Sequence, residues 1–371
     1  MNQFDVAIIG AGIAGASLAA EIAGKVSVVI LEAEAQPGYH ATGRSAAFWE
    51  ETYGGPGVQP LTSSSGDWLR SPPADFHDGS FLSPRGMVLM AGQDELPLLD
   101  AFEEEFKGSG VAMQRIDRAR LLSHCDGLRP AWQYGIEQES CADIDVAALH
   151  QACLRVAKRR GADLRCNAAL CSARRQNGRW RIETRDGEFF ADILVDAAGA
   201  WADEVAGLCG VDAIGISPFR RTMVQLRFDR PVLRSLPLMM SARGDFYFKS
   251  DGADGIWLSP HDEIPSQPTD AAPEEIDVAI AIDRFQQAVD WRIVQVTHKW
   301  AGLRSFSPDR LPVYGFDTAR PGFFWFAGQG GFGIQTAPAA AKIGASLLLG
   351  QAADPMVAQI DAERYAPGRF T

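Results

Sequence analysis

The opening stretch leaves this chain few folds to choose from. "FDVAIIGAGIAGASLAAEIAGKVSVVILEAEA" reads as a buried parallel strand, a glycine turn, a helix of about three turns and a second buried strand. Gly10, Gly12 and Gly15 give the spacing G-x-G-x-x-G. With 37 glycines in 371 residues, that spacing arises by chance roughly 0.4 times, so its place between strand and helix carries the argument. There Gly10 makes the tight turn, Gly12 lets a pyrophosphate approach the backbone, and Gly15 packs the helix close to the strand. Glu32 ends the second strand, where a carboxylate accepts hydrogen bonds from a ribose 2′-hydroxyl and disfavours a 2′-phosphate. The expectation is an adenine dinucleotide other than NADP.

Composition narrows the partners. The formal charge of −12, with no long basic run, argues against nucleic acid and anionic membranes. The six cysteines form no C-x-x-C pair and read as reduced core residues. The histidines fall in no ligand motif, so no metal is expected. No basic leader precedes Val6, and the apolar run from Ala337 to Gly350 carries Lys342 and is short for a bilayer. The expectation is a cytoplasmic protein with no membrane span.

Further along, "DVAALHQACLRVAKRRGADLRCN" has helical spacing, basic residues in its last turn and Gly161 just past its end. "RWRIETRDGEFFADILVDAAGA" reads as two strands around Asp186-Gly187, the second running into Ala197-Ala198-Gly199. "TMVQLRF" and "DFYFKSD" alternate like antiparallel strands, and "APEEIDVAIAIDRFQQAVD" is an amphipathic helix. These pieces imply an α/β nucleotide-binding domain of Rossmann type built from residues 1–48, 138–215 and 307–371. A second, antiparallel-sheet α+β domain takes residues 49–137 and 216–306 and holds the substrate.

The stretch "AQPGYHATGRSAAFWEETYGG" does not continue the nucleotide fold with another crossover helix. Its loop is expected to start a helix near Ser45, so that backbone N–H groups and Arg44 meet a second phosphate or a flavin edge. A second glycine cluster, Gly328, Gly330, Gly331 and Gly333, precedes a helix near the C-terminus. A helix N-terminus there stabilises negative charge on the pyrimidine edge of a reduced flavin. FAD is therefore the expected cofactor. No cysteine in that block suggests a covalent link, and the residues name no electron acceptor.

With "GRSA", "DAAGAWAD", "AGLRSFSPDRLPVYG" and "GQGGFGIQTAPA" added to the first turn, nearly the whole chain resembles the D-amino-acid oxidase-like FAD-dependent oxidoreductases. Segments like "QPGYHATGRSAA", "ADIDVAALHQ" and "WAGLRSF" bring it nearest to the D-arginine dehydrogenase branch. The resemblance implies cofactor contacts at Ile13 and Ala14, at Ala33, at Thr42, Gly43 and Ala46, and at Ala198, Gly199 and Trp201. It implies others at Gly302, Ile334, Gln335 and Thr336. It also implies oxidation of the carbon–nitrogen bond of a D-amino acid, to an imino acid that hydrolyses to a 2-oxo acid and ammonia.

Such chemistry needs a grip on a carboxylate, for which the planar fork of an arginine is suited. Arg304 and Arg221 match the family's carboxylate-binding positions, with Arg220 a rival to Arg221. Tyr247 and Tyr53 match substrate-contacting tyrosines, and Gly331 and Ile334 are expected beside the substrate amine and the flavin. In the D-arginine branch a histidine stands at Phe48, a threonine at Glu50, and a glutamate follows the "SPR" segment, where this chain has Gly86 and Met87. Either Glu50 faces the pocket and favours cationic substrates, or Glu50 and Glu51 flank a helix end in solvent and an apolar pocket remains. Alternatives within the fold are oxidation of sarcosine, glycine or a 2-hydroxy acid such as L-2-hydroxyglutarate. Outside enzymes, the alternative is a flavin-binding scaffold subunit.

Overall fold

The alternating and continuous apolar runs sort themselves into two main sheets in the computed structural model, which describes residues 2–370. The described residues form a sheet of eight strands and one of nine, with a small three-stranded sheet between them in the chain. In the first sheet, strand Gln3–Ile9 lies parallel between Val28–Leu31 and Gly187–Asp196. Val6, Ala7 and Ile8 are almost wholly buried, as both faces of a parallel sheet must be. Strand Gly187–Asp196 serves two neighbours. Its first half pairs antiparallel with Arg179–Thr184, and Leu194–Asp196 pair parallel with Phe323–Ala327.

Helices Ile13–Ile22, Val146–Arg159 and Gly333–Leu349 cover one face of this sheet in a common core. Residues 49–82 are assigned by sequence to the second domain, but Trp49, Leu61, Leu69, Phe76, Phe81 and Leu82 belong to the core under the first sheet. The reason is helix Gln59–Arg70, whose apolar side packs against helix Gly333–Leu349.

The second sheet is built around the long antiparallel pair Ser217–Phe228 and Ile293–Phe306. Period-two alternation splits its side chains. Val224, Leu226, Phe248, Ile256 and Leu258 face helix Glu275–Ala288, while Met223 and Tyr247 face the other way, toward Phe48, Met87 and Leu238. The second group points to where the two sheets meet. A bridge between Ser305 and Gly330, with Gly330 N–H donating to Ser305 O at 2.9 Å, ties the C-terminal glycine loop to the second sheet there.

Candidate active site

A cavity of about 430 Å³ runs from the first glycine turn to the junction of the sheets. At its far end Gly10 has φ of 100°, and a Cβ there would lie 2.6 Å from Ala197 O, so only glycine allows this approach. A Cβ at Gly15 would lie 2.0 Å from Gly10 O, which makes Gly15 a helix–strand packing residue; it is not on the cavity wall. Gly12, Ile13 and Ala14 are on the wall, at the start of a helix whose N-cap glycine supplies no side-chain cap. Thr42 Oγ1 reaches over and accepts from Ile13 N–H at 3.0 Å.

Glu32, 8% exposed, accepts from Ala11 N–H at 2.7 Å and from Glu34 N–H at 2.9 Å. A carboxylate has about four acceptor sites, so it retains capacity for a ribose. Ala33, Ala198, Gly199 and Trp201 line the same end. So do Gly38, Tyr39 and His40, which sequence reasoning missed. His40 packs against Trp201 with ring centroids 4.5 Å apart.

No helix starts at Ser45. Arg44 O accepts from the Trp300 indole at 2.9 Å and Ala47 O from Ile144 N–H at 3.3 Å, so the carbonyls a helix would use are committed elsewhere. Arg44, Ser45 and Ala46 line the cavity in extended or turn conformation. The Arg44 guanidinium is engaged by protein groups. It pairs with Asp270 and donates to Ala271 O at 2.8 Å, and Tyr39 donates to Asp270 at 3.1 Å. Gly43 is a turn residue whose N–H donates to Gly38 O. At the near end Gly302, Gly330, Gly331, Gly333 and Ile334 line the wall, so a second uncapped helix N-terminus meets the cavity. Gly328, Gln335 and Thr336 do not line it. Gln335 instead braces Tyr53 O and Thr62, and its carbonyl accepts from Glu50 N–H at 3.2 Å.

The two arginines converge beside Gly331. In the antiparallel register Phe219 opposes Arg304 and Arg221 opposes Gly302, which puts Arg304 and Arg221 diagonally on one face. Arg220 falls on the other face, paired with Glu274 and Asp277, so it is not a site residue. Arg221 is 1% exposed; it donates to Asp262 O and Glu263, yet its Nη1 is buried without a partner among the described residues, as is Arg304 Nε. Buried guanidinium N–H groups left unmade are costly, and a bound carboxylate would satisfy both.

A Cβ on Gly331 would lie 2.7 Å from the Tyr53 hydroxyl and 2.9 Å from Arg304 Nε. Burial opposes ionisation of Tyr53, but Arg304 and Arg221 outweigh it and bring the hydroxyl below the usual tyrosine range. Phe48 lies 5.4 Å from Tyr53 and 5.9 Å from Tyr247, edge to face. His261, which no sequence motif flagged, completes this cage.

Glu50 faces neither the cage nor solvent. It is 3% exposed, and its oxygens are taken by Thr52, with Oγ1 at 2.7 and 2.8 Å and N–H at 3.0 Å. Burial lifts its carboxyl to about 7, with the Thr52 hydrogen bonds partly offsetting and Glu51 adding to the rise. Glu51 is held by Ser63 and Ser140. Both alternatives drawn from the sequence for Glu50 are thus corrected. Among the described residues no cluster of three metal-type ligands occurs, and no helix is long and apolar enough to cross a membrane.

Two helix N-termini opening on one cavity, the first met by Thr42, with a buried carboxylate at one end and two buried guanidinium groups at the other, fit a dinucleotide-dependent oxidoreductase. The glycine cradle at Gly10 and Gly12 and the buried Glu32 carboxylate fit a dinucleotide, which these residues would hold. The chain belongs to the FAD dependent oxidoreductase family, whose pattern matches residues 5–347, and FAD is its cofactor. Glycine oxidase of Pseudomonas putida is 24% identical over 377 residues, covering 98% of each protein. Mitochondrial dimethylglycine dehydrogenase of Mus musculus is 25% identical over 64% of this chain, which spans only 29% of that protein's length. In fold, the chain matches glycine oxidase from Geobacillus kaustophilus with a TM-score of 0.84 at 21% identity, covering 97% of this chain and 98% of that one. The family expectation holds, and these relatives do not single out the D-arginine dehydrogenase branch.

Proposed function

We propose that the chain oxidises the carbon–nitrogen bond of a small uncharged amino acid, glycine or an N-methylated glycine, and releases the 2-oxo acid after hydrolysis of the imine. The observation that carries this reading is the pair of buried, unpartnered atoms, Arg304 Nε and Arg221 Nη1, on one face of the second sheet beside Gly331. Arg304 and Arg221 hold the substrate carboxylate, Tyr53 and Tyr247 orient it, and Phe48 and Met223 exclude water from Cα. FAD, when bound, accepts the hydride that Cα loses. No cage residue is a carboxylate, which disfavours arginine and lysine as substrates; Glu50 is closed off by Thr52, and Glu263 is paired with Arg221 and Arg310. The names of the glycine oxidase and dimethylglycine dehydrogenase relatives support the same class. A second reading, a short apolar D-amino acid, rests on Met87 and Leu238 packed behind Phe48 and Tyr247.

The test is anaerobic bleaching of the holoenzyme by glycine, sarcosine, short and cationic D-amino acids and 2-hydroxy acids. Small neutral amines are expected to bleach it fastest; bleaching by 2-hydroxy acids alone would refute the reading. Removing one partner of a buried charged contact costs about 2–5 kcal/mol. Arg304→Met is therefore expected to lose roughly 30- to several-thousand-fold in kcat/KM while retaining FAD.

A further inference from the structure

Arg221 lies on the cavity wall, and the neighbours of its strand decide how much of its guanidinium is free. Strand Ser217–Phe228 runs between Ile293–Phe306 and the short strand Ile264–Pro265. Against the first, Arg221 opposes Gly302, which adds no side chain on that side. Against the second, Phe219 opposes Pro265 and Arg220 opposes Ile264, so the register carried on by one residue sets Glu263 opposite Arg221. Glu263 Oε1 accepts from Arg221 Nη2 at 3.1 Å, and Asp262 O accepts from Nε. Nε and Nη2 form one edge of the planar fork. That edge is spent on residues 262 and 263, and Nη1 is left without a partner among the described residues.

Glu263 is itself held from its outer side. Arg310 Nη2 donates to both of its oxygens, at 2.8 and 2.9 Å. Arg310 is fixed in turn: its φ is 66°, in the left-handed region, and its N–H donates to Ser307 O at 3.0 Å. Its guanidinium carbon lies 3.8 Å from the centre of the Phe306 ring. The Glu263 carboxylate therefore bridges a fully buried guanidinium and a half-exposed one. Burial, and then Arg304, press the Arg221 guanidinium below its ordinary range, and Glu263 is among the groups that oppose them.

Within the function proposed above, on which this role rests, we infer that Glu263 is a positioning residue: it turns the Arg221 guanidinium so that Nη1 meets the substrate carboxylate. Glu263 is not on the cavity wall and acts through Arg221. Two properties of its side chain are separable. Its reach sets the plane of the guanidinium, and its charge offsets the repulsion from Arg304. Positioning depends on the reach.

The experiment compares wild type with Glu263→Gln and Glu263→Asp, all as FAD-loaded holoenzymes. Glutamine keeps an acceptor oxygen at the same reach and gives up the charge; aspartate keeps the charge and falls one methylene short. The probe is methylthioacetate, a carboxylate without an amine, titrated by its perturbation of the flavin spectrum. Hydrogen bonds to charged groups are the stronger ones, so Glu263→Asp is expected to weaken the probe about 10-fold or more. Loss of a part-exposed charge alone is expected to weaken it no more than about five-fold in Glu263→Gln. The half-saturating concentration of glycine or sarcosine, whichever bleaches the wild type, is expected to rise in the same order, with the melting midpoint and the affinity for FAD unchanged. Wild-type affinity for the probe in Glu263→Asp, a greater loss in Glu263→Gln than in Glu263→Asp, or a loss that tracks the melting midpoint would overturn the role of Glu263 alone. A wild type that neither binds the probe nor is bleached by any amino acid or N-methyl amino acid would overturn the proposed function and this role with it.

Discussion

Glu50 is a buried carboxylate bonded by Thr52, and its position has an energetic consequence. Its folded-state pKa of about 7 lies above the ordinary 4.5. The native state therefore binds its proton more tightly than the unfolded chain does. That contribution is fully present below about 4.5 and is lost as pH rises through about 7. Above that range the ionised, cation-free carboxylate costs the native state on the order of 3 kcal/mol. Glutamine can accept from Thr52 N–H and donate to Thr52 Oγ1. Glu50→Gln is thus expected to raise the urea midpoint relative to wild type at mildly alkaline pH, with the difference fading under mildly acid conditions. A variant less stable than wild type at alkaline pH would contradict the account. No residue-level pattern announces such a pocket, because burial of Glu50 depends on Gln138, Cys141 and Gln335, which come from distant parts of the chain.

Among the elements, those set by local periodicity were legible. The strand–turn–helix opening, helix Val146–Arg159 with Gly161 after it, the turn at Gly187 and helix Glu275–Ala288 all stand where spacing and turn chemistry predict. The failures came where tertiary partners claimed the backbone. The segment at Ser45 has its carbonyls bonded by Trp300 and Ile144. The choice between Arg220 and Arg221 needed strand register, which alternation alone does not supply. The Tyr39–Arg44 loop is instead a clasp on the 269–271 loop, both lining the cavity. Arg44, through its hydrogen bond, holds the Asp270 carboxyl below its usual range. The clasp is therefore intact above the ordinary carboxylate pKa and weakens as pH falls through the depressed one. Exposed pairs of this kind contribute at most about 1 kcal/mol. Asp270→Asn is expected to speed FAD release up to roughly five-fold at neutral pH, followed by fluorescence recovery on dilution. An unchanged release rate would show the clasp to be incidental.

For the molecule as a whole, the cavity joins what the chain order separates: its walls come from the first-sheet turns and from Arg221, Thr269 and Arg304 of the second. FAD thus binds the assembled fold and not the unfolded chain. At a hundred times Kd that linkage contributes about 2.7 kcal/mol, so stripped protein is expected to melt lower and to regain its midpoint on FAD titration. A midpoint indifferent to FAD would mean that the cavity walls do not depend on one another. The pairing of Ser217–Phe228 with Ile293–Phe306 has a longer reach. Its irregularities fall at Gln225–Leu226 and Arg227–Phe228, leaving the run through Phe219, Arg221, Gly302 and Arg304 unbroken. Lengthening or trimming the chain between the two strands would therefore leave Arg221 and Arg304 side by side on one face. A single deletion inside the run would turn one of the two guanidinium groups to the opposite face of the sheet.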